Sequence, residues 1–188
     1  MKRLPTVIVN ENTLWSKDVA LRQKCRAINL EDLEDLQFAQ NLIQEMFRTL
    51  YEDASGVALA APQVGVLVRV VTIDFEDRDT SKRILYALIN PEIVSSSEET
   101  NSDTEICLSV PNFAQKVTRA YSVIVKAYDP QGKPLEIVAD GFLAKVFQHE
   151  IDHLDGILYV DRVEEKLLEV PDWPERRLPG TLKKLKLN

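Results

Sequence analysis

The sequence predicts an α+β domain in which mostly antiparallel sheets pack around a central helix carrying the pentapeptide HEIDH, residues 149–153. Three observations lead there. An early segment repeats apolar residues at helical spacing, several middle segments are short and rich in β-branched and aromatic residues, and residues 140–156 return to helical spacing. Runs of strands followed by a helix suggest an α+β domain with mostly antiparallel sheet.

Leu33, Leu36, Ile43, Phe47 and Leu50, with Leu42 and Met46 beside them, form one apolar stripe, and Asn29 is the expected N-cap of that surface helix. It should end near Tyr51. Residues 56–65, with small side chains and Pro62, read as a tight loop or irregular strand. Segments 67–75 and 84–89 read as strands, the second broken by Asn90-Pro91. Strong alternation over 121–128, turn chemistry from Asp129 to Lys133 and a further strand over 135–138 make a hairpin. Asp140 and Gly156 bound the last helix as N-cap and stop.

The chain has 188 residues, enough for one well-buried core and too few for two ordinary domains. With 45% hydrophobic and 28% charged residues its balance is globular. A formal charge of −7 argues against a nucleic-acid-binding surface. No apolar run approaches the ~20 residues of a membrane span, and Met1-Lys2-Arg3 precedes too few apolar residues for a signal peptide. A cytoplasmic location is expected. Cys25 and Cys107 cannot supply a secreted disulfide framework.

Both histidines of the chain, His149 and His153, lie in HEIDH. Two imidazoles four residues apart share one face of a helix and can grip one divalent metal, with the intervening Glu150 beside it. On a helical wheel Phe142, Val146, His149 and His153 form one stripe, and Leu143, Phe147, Ile151 and Leu154 the adjoining one. Lys145, Gln148, Asp152 and Asp155 form the polar stripe. Glu150 falls between the two apolar stripes, so it should be buried, where desolvation raises a carboxyl's pKa and a nearby cation lowers it. Two imidazoles leave the metal a ligand short. The candidates are a downstream carboxylate, Glu164, Glu165 or Glu169, or the thiolate of Cys107, which lies in a short extended segment that Pro111 should end.

Gly56-Val57-Ala58-Leu59-Ala60-Ala61-Pro62-Gln63, Glu105-Ile106-Cys107-Leu108-Ser109 and Gln148-His149-Glu150-Ile151-Asp152-His153 resemble, in order and spacing, the three signature motifs of the peptide deformylases. The similarity runs from about Leu21 to Val163. It implies hydrolytic removal of the N-formyl group from the initiator methionine of new polypeptides, with release of formate. It also implies that Cys107, His149 and His153 hold the metal, that Glu150 is general base and acid, and that Gln63 and the Leu108 backbone N–H face the oxyanion. Gly56, Val57, Ala58, Ile106 and Val146 would line the substrate cleft. The family commonly uses ferrous iron, and zinc, nickel or cobalt can occupy the site. Its partners are N-formylmethionyl nascent peptides, which puts the ribosome within reach.

The chain departs from the family pattern at four places. Ala58 and Ile106 stand where the family usually has glycine, and a β-branched isoleucine restricts close approach of a substrate backbone. Ala114 stands where bacterial members often carry arginine, whereas Arg119 matches a family arginine and is expected to pair with Glu105. The catalytic domain should therefore cover residues 1–163. Residues 164–188 form a tail in which Pro171, Pro174 and Pro179 forbid one long terminal helix.

Overall fold

The structure is a computed structural model that describes residues 4–9, 16, 19–52, 56–77 and 81–163, and the backbone of 168–169. A first helix, α1 (Leu33–Glu52), is followed by seven strands: β1 (Ala58–Ala60), β2 (Val70–Glu76), β3 (Arg83–Ser96), β4 (Thr100–Cys107), β5 (Val110–Ala120), β6 (Ser122–Tyr128) and β7 (Pro134–Asp140). Helix α2 (Gly141–Leu154) and the short strand β8 (Leu168–Glu169) complete the described chain. Two antiparallel sheets result, one in the order β1-β2-β3-β6-β7 and one in the order β4-β5-β8. This is the α+β class expected.

Asp32 caps α1, not Asn29. The Asp32 carboxylate accepts the backbone N–H groups of Glu34 at 2.9 Å and Asp35 at 3.3 Å, the bonds an N-cap side chain makes. Asn29 instead closes the turn before it, its side chain accepting the Glu31 N–H and its carbonyl the Asp32 N–H. Leu33, counted on the apolar stripe, is consequently a first-turn residue and 81% exposed. Leu42, Ile43, Met46 and Leu50 are buried as the periodicity requires.

Asn90-Pro91 does not break its strand either. β3 continues through it, with a register shift between Ile89 and Glu92. Asn90 takes a left-handed φ of 52°, which asparagine tolerates. Its side chain accepts the Ile28 N–H at 2.8 Å and donates to the Ile28 carbonyl at 2.9 Å. Pro111, expected to end a strand, is the second residue of β5; the β4/β5 register slips between Glu105 and Cys107, where no ladder donor is required of a proline. The β6–β7 hairpin forms as expected, the Asp129 carboxylate accepting the N–H groups of Gln131 and Lys133.

Alternation along β2 divides the interior. Val71, Ile73 and Phe75 face α2, packing with Val123, Val125, Phe147, Ile151 and Leu154, while Val70 faces α1 with Ile43, Met46, Leu50 and Leu59. A third cluster joins Cys107, Val110 and Val117 to Val9, Leu21, Leu158 and Tyr159. Helix α2 thus lies between the large sheet and the β4–β5 hairpin, so its residues are within reach of both.

Candidate metal centre

Gly156, at φ 77°, stops α2, as its place in the sequence suggested. Asp140 has the extended N-cap conformation, but its side chain makes no capping bond. Within α2 the two histidine rings pack edge to face, 4.8 Å between centroids. His153 is fully buried, and Cys107 approaches it from the end of β4, Sγ lying 3.3 Å from Nε2. One donor atom each from Cys107, His149 and His153 lies within 4.8 Å of the others.

These donors fit a divalent ion. Bonds of ~2.0–2.3 Å to nitrogen and sulfur in tetrahedral geometry place ligand atoms roughly 3.5 Å apart, and three protein ligands leave a fourth position open. Burial holds the His153 imidazole well below its ordinary pKa, in the direction of the neutral form that binds metal, whereas at His149 burial is outweighed by Cys107 and Glu105, which raise its pKa. The downstream alternatives Glu164 and Glu165, and the Glu169 side chain, lie outside the described residues.

His149 is oriented from behind. Its Nδ1 sits 2.7 Å from Glu105 Oε2, which turns Nε2 towards the Cys107 side, and its ring stacks on Tyr159 at 6.0 Å. Glu105 is itself gripped by Arg119 in a bidentate pair of 2.5 and 2.9 Å, and Arg119 bridges onward to Asp152 at 2.8 Å. Arg162 supplies Asp152 with a second cation. Burial works against the Glu105 charge, yet Arg119 and His149 together bring its carboxyl down to about 2.

Glu150 is 5% exposed, as its place on the wheel required, and its Oε2 has no hydrogen-bond partner among the described residues. Burial, with Glu105 nearby adding to it, raises its carboxyl to about 7 against the opposing pull of His149 and Arg119. A carboxyl so placed can both take and return a proton near neutral pH.

Gln63 lies in the 3-10 turn Ala61–Val64 that follows β1. Its Oε1 accepts the Ala60 N–H at 2.7 Å, which leaves Nε2 as the group turned to the site, 3.5 Å from Cys107 Sγ and 3.4 Å from Ser109 Oγ. Leu108 stands in the turn between β4 and β5, and its side chain folds over Gly56, where a Cβ would meet it at 2.6 Å. Ala58 and Val146 are buried in the cluster between β1 and α2, with Val57 at its margin. Ile106 is half-buried, stands between Glu105 and Cys107 on β4 and belongs to none of the core clusters. Ala114 is buried, its backbone paired with Leu168.

The polypeptide deformylase family model matches residues 12–168. The chain belongs to that family. It is 42% identical over 153 residues to a peptide deformylase of Natranaerobius thermophilus, spanning 81% of this chain and 91% of that one. It is 52% identical over 134 residues to the peptide deformylase of Lachnoclostridium phytofermentans, 71% of this chain and 79% of the other. Among solved structures it resembles a peptide deformylase from Legionella pneumophila, with TM-score 0.71, 39% identity and 87% of each chain covered. A Met-Ala-Ser-bound class I type b peptide deformylase from Acinetobacter baumannii gives TM-score 0.74 and 32% identity over 86% of this chain and 99% of that one.

Peptide deformylases are metal-dependent enzymes, and this member brings its Cys107, His149 and His153 together as a group able to hold a metal. Three residues around them were not legible as site residues. Asp152 sat on a stripe that looked merely polar but is 8% exposed and paired to two arginines. Ser109 and Tyr159 carried no chemical signal of their own. The Arg119–Glu105 pair was expected; that Glu105 also holds His149 could have been read from its position two residues before Cys107, on the same face of β4.

Proposed function

We propose that this protein hydrolyses the formamide at the N-terminus of formylmethionyl peptides, releasing formate and a free amine, with ferrous iron held by Cys107, His149 and His153. The observation that carries the reading is a largely buried thiol-diimidazole group beside a carboxyl whose Glu150 Oε2 has no partner among the described residues, in a chain of this family. A divalent ion bound there would acidify water and polarise a carbonyl. Zinc, nickel and cobalt suit the same mixed sulfur and nitrogen donors.

The protein's own groups divide the remaining work. Glu150 takes the proton of the attacking water at a carboxylate oxygen and passes it to the departing amine nitrogen. Gln63 Nε2 and the Leu108 N–H donate to the oxygen that gains charge as the formyl carbon becomes tetrahedral, each donor being worth ~3 kcal/mol. Glu105 keeps the His149 ring in place and Arg119 keeps Glu105 ionised. Among the described residues β1 pairs only with β2, so its other edge offers backbone groups beside Gly56, Val57 and Ala58 on which an extended peptide can lie, and we assign Ile106 and Val146 to the same cleft.

We place the reaction in the cytoplasm on nascent chains near the ribosome, the catalytic unit covering residues 1–163. No helix among the described residues is long and apolar enough to cross a membrane. The proline-interrupted tail, 164–188, lies outside the described residues apart from the backbone of 168–169. The test is formate release from formyl-Met-Ala-Ser by protein reconstituted anaerobically with iron. Turnover that stops in Glu150→Gln at unchanged metal content supports the assignment; no turnover by the wild type at full metal occupancy overturns it.

A further inference from the structure

The two proposed oxyanion donors come from different sheets. Gln63 follows β1 of the large sheet and Leu108 follows β4 of the small one. The polar side-chain links between their segments run from Gln63 Nε2 to Cys107 Sγ at 3.5 Å, a weak acceptor, and to Ser109 Oγ at 3.4 Å, long for a hydrogen bond. Once Nε2 donates to a reacting oxygen, even these weaken. Something else must then keep the segments in register.

The N-terminal segment does so. The Val7 N–H donates to the Gln63 carbonyl at 2.7 Å, and the Val9 N–H donates to the Ser109 carbonyl at 2.8 Å. Val9 is 2% exposed and packs in the cluster that contains Cys107, Val110 and Tyr159, with Val7 at its edge. Upstream, the Leu4 N–H is anchored to Thr49 Oγ1 on α1 at 3.1 Å. Ile8, between the two bonded residues, points outward and is 52% exposed. The segment thus crosses from one sheet to the other over the two turns that matter, tied at each by a backbone bond.

We propose that Val7 and Val9 are positioning residues for the deformylation: their backbone N–H groups strap the Gln63 turn to the Leu108-Ser109 turn and hold the two oxyanion donors at a fixed separation. The inference rests on the reading of Gln63 and Leu108 given above. Donors must sit within about 0.5 Å of their productive places to act, and one lost donor costs about 10²–10³ in rate. Loosening one against the other should cost part of that.

Proline removes the donor at a single position while leaving an extended chain intact. Val7→Pro and Val9→Pro are expected to lower kcat for formyl-Met-Ala-Ser about tenfold. KM should stay within about twofold, with metal content and the absorption spectrum of the cobalt-loaded protein unchanged. Ile8→Pro should match the wild type. In a Gln63→Ala background, Val7→Pro should add little, because the donor it positions is gone. Val7→Pro, at the half-buried position, decides the matter if Val9→Pro fails to fold. A kcat within about twofold of wild type in Val7→Pro, while Gln63→Ala is strongly impaired, overturns the strap alone. Gln63→Ala with full activity overturns the oxyanion reading itself and the strap with it.

Discussion

Arg119→Met tests the buried charge network most directly. Arg119 is 7% exposed and is shared between two buried carboxylates, Glu105 at 2.5 and 2.9 Å and Asp152 at 2.8 Å. Removing it leaves Asp152 with Arg162, so that carboxylate is not orphaned. Among the described residues Glu105 then keeps the His149 bond alone, at 3% exposure. Breaking a buried pair costs ~3–5 kcal/mol, and the surviving Arg162 contact argues for the lower end, about 3. For a protein of this size each kcal/mol moves Tm by ~2–4 °C, so the midpoint should fall by about 6–12 °C. The assay is thermal unfolding followed by circular dichroism at pH 7, at a fixed excess of metal over protein because bound ligand raises Tm. Adding Glu105→Gln to Arg119→Met removes the uncompensated charge and should recover part of the loss. A fall of less than about 3 °C, or a further fall on adding Glu105→Gln, would refute the reasoning that Arg119 chiefly compensates Glu105.

Three further outcomes are expected. Ile106→Gly should raise turnover of formyl-Met peptides with little change in metal content by atomic absorption, since it restores the glycine usual in the family beside the cysteine ligand; an unchanged rate would show that isoleucine is no obstacle. Gly156→Ala should cost at least ~2 kcal/mol in denaturant unfolding, because it combines a φ of 77° with a Cβ only 2.8 Å from the Arg22 carbonyl oxygen. Asp35 is held down to about 2 by Arg26, with the Asn29 N–H helping. A depressed carboxyl pKa means stability present above the unfolded value of 3.8 and lost as pH falls from there through about 2. Asp35→Asn should therefore lower Tm modestly at pH 7, with the gap to wild type closing over that acid window; a gap independent of pH would contradict the linkage.

Much of the site was readable because its chemistry is concentrated in one helical repeat. The spacing of His149 and His153 and the wheel position of Glu150 follow from helix geometry alone, and both hold in the structure. The third donor was not readable that way. Cys107 meets the helix only in three dimensions, 46 positions before His153 in the sequence, and local pattern left it beside three carboxylates as a candidate. Resemblance, not periodicity, selected it. The misread boundaries share a cause as well. Asn29, Asn90 and Pro111 each carry turn chemistry, and in each case another part of the chain decided its use: the neighbouring Asp32 cap, the distant Ile28 backbone and the slipped register of β4.

Strand β3 has a further meaning. Its residues Arg83–Ile89 pair with β2, whereas Ile89–Ser96 pair with β6, so the five-stranded sheet consists of two halves sharing a single strand. The crossing point is the bulge at Asn90-Pro91, pinned by Ile28. No ladder bond runs from β2 to β6 to bypass it. Backbone pairing between the half that carries the Gln63 turn and the half that feeds α2 through β7 therefore passes through this one strand, whose midpoint an asparagine amide pins, while side chains of α2 pack across both halves.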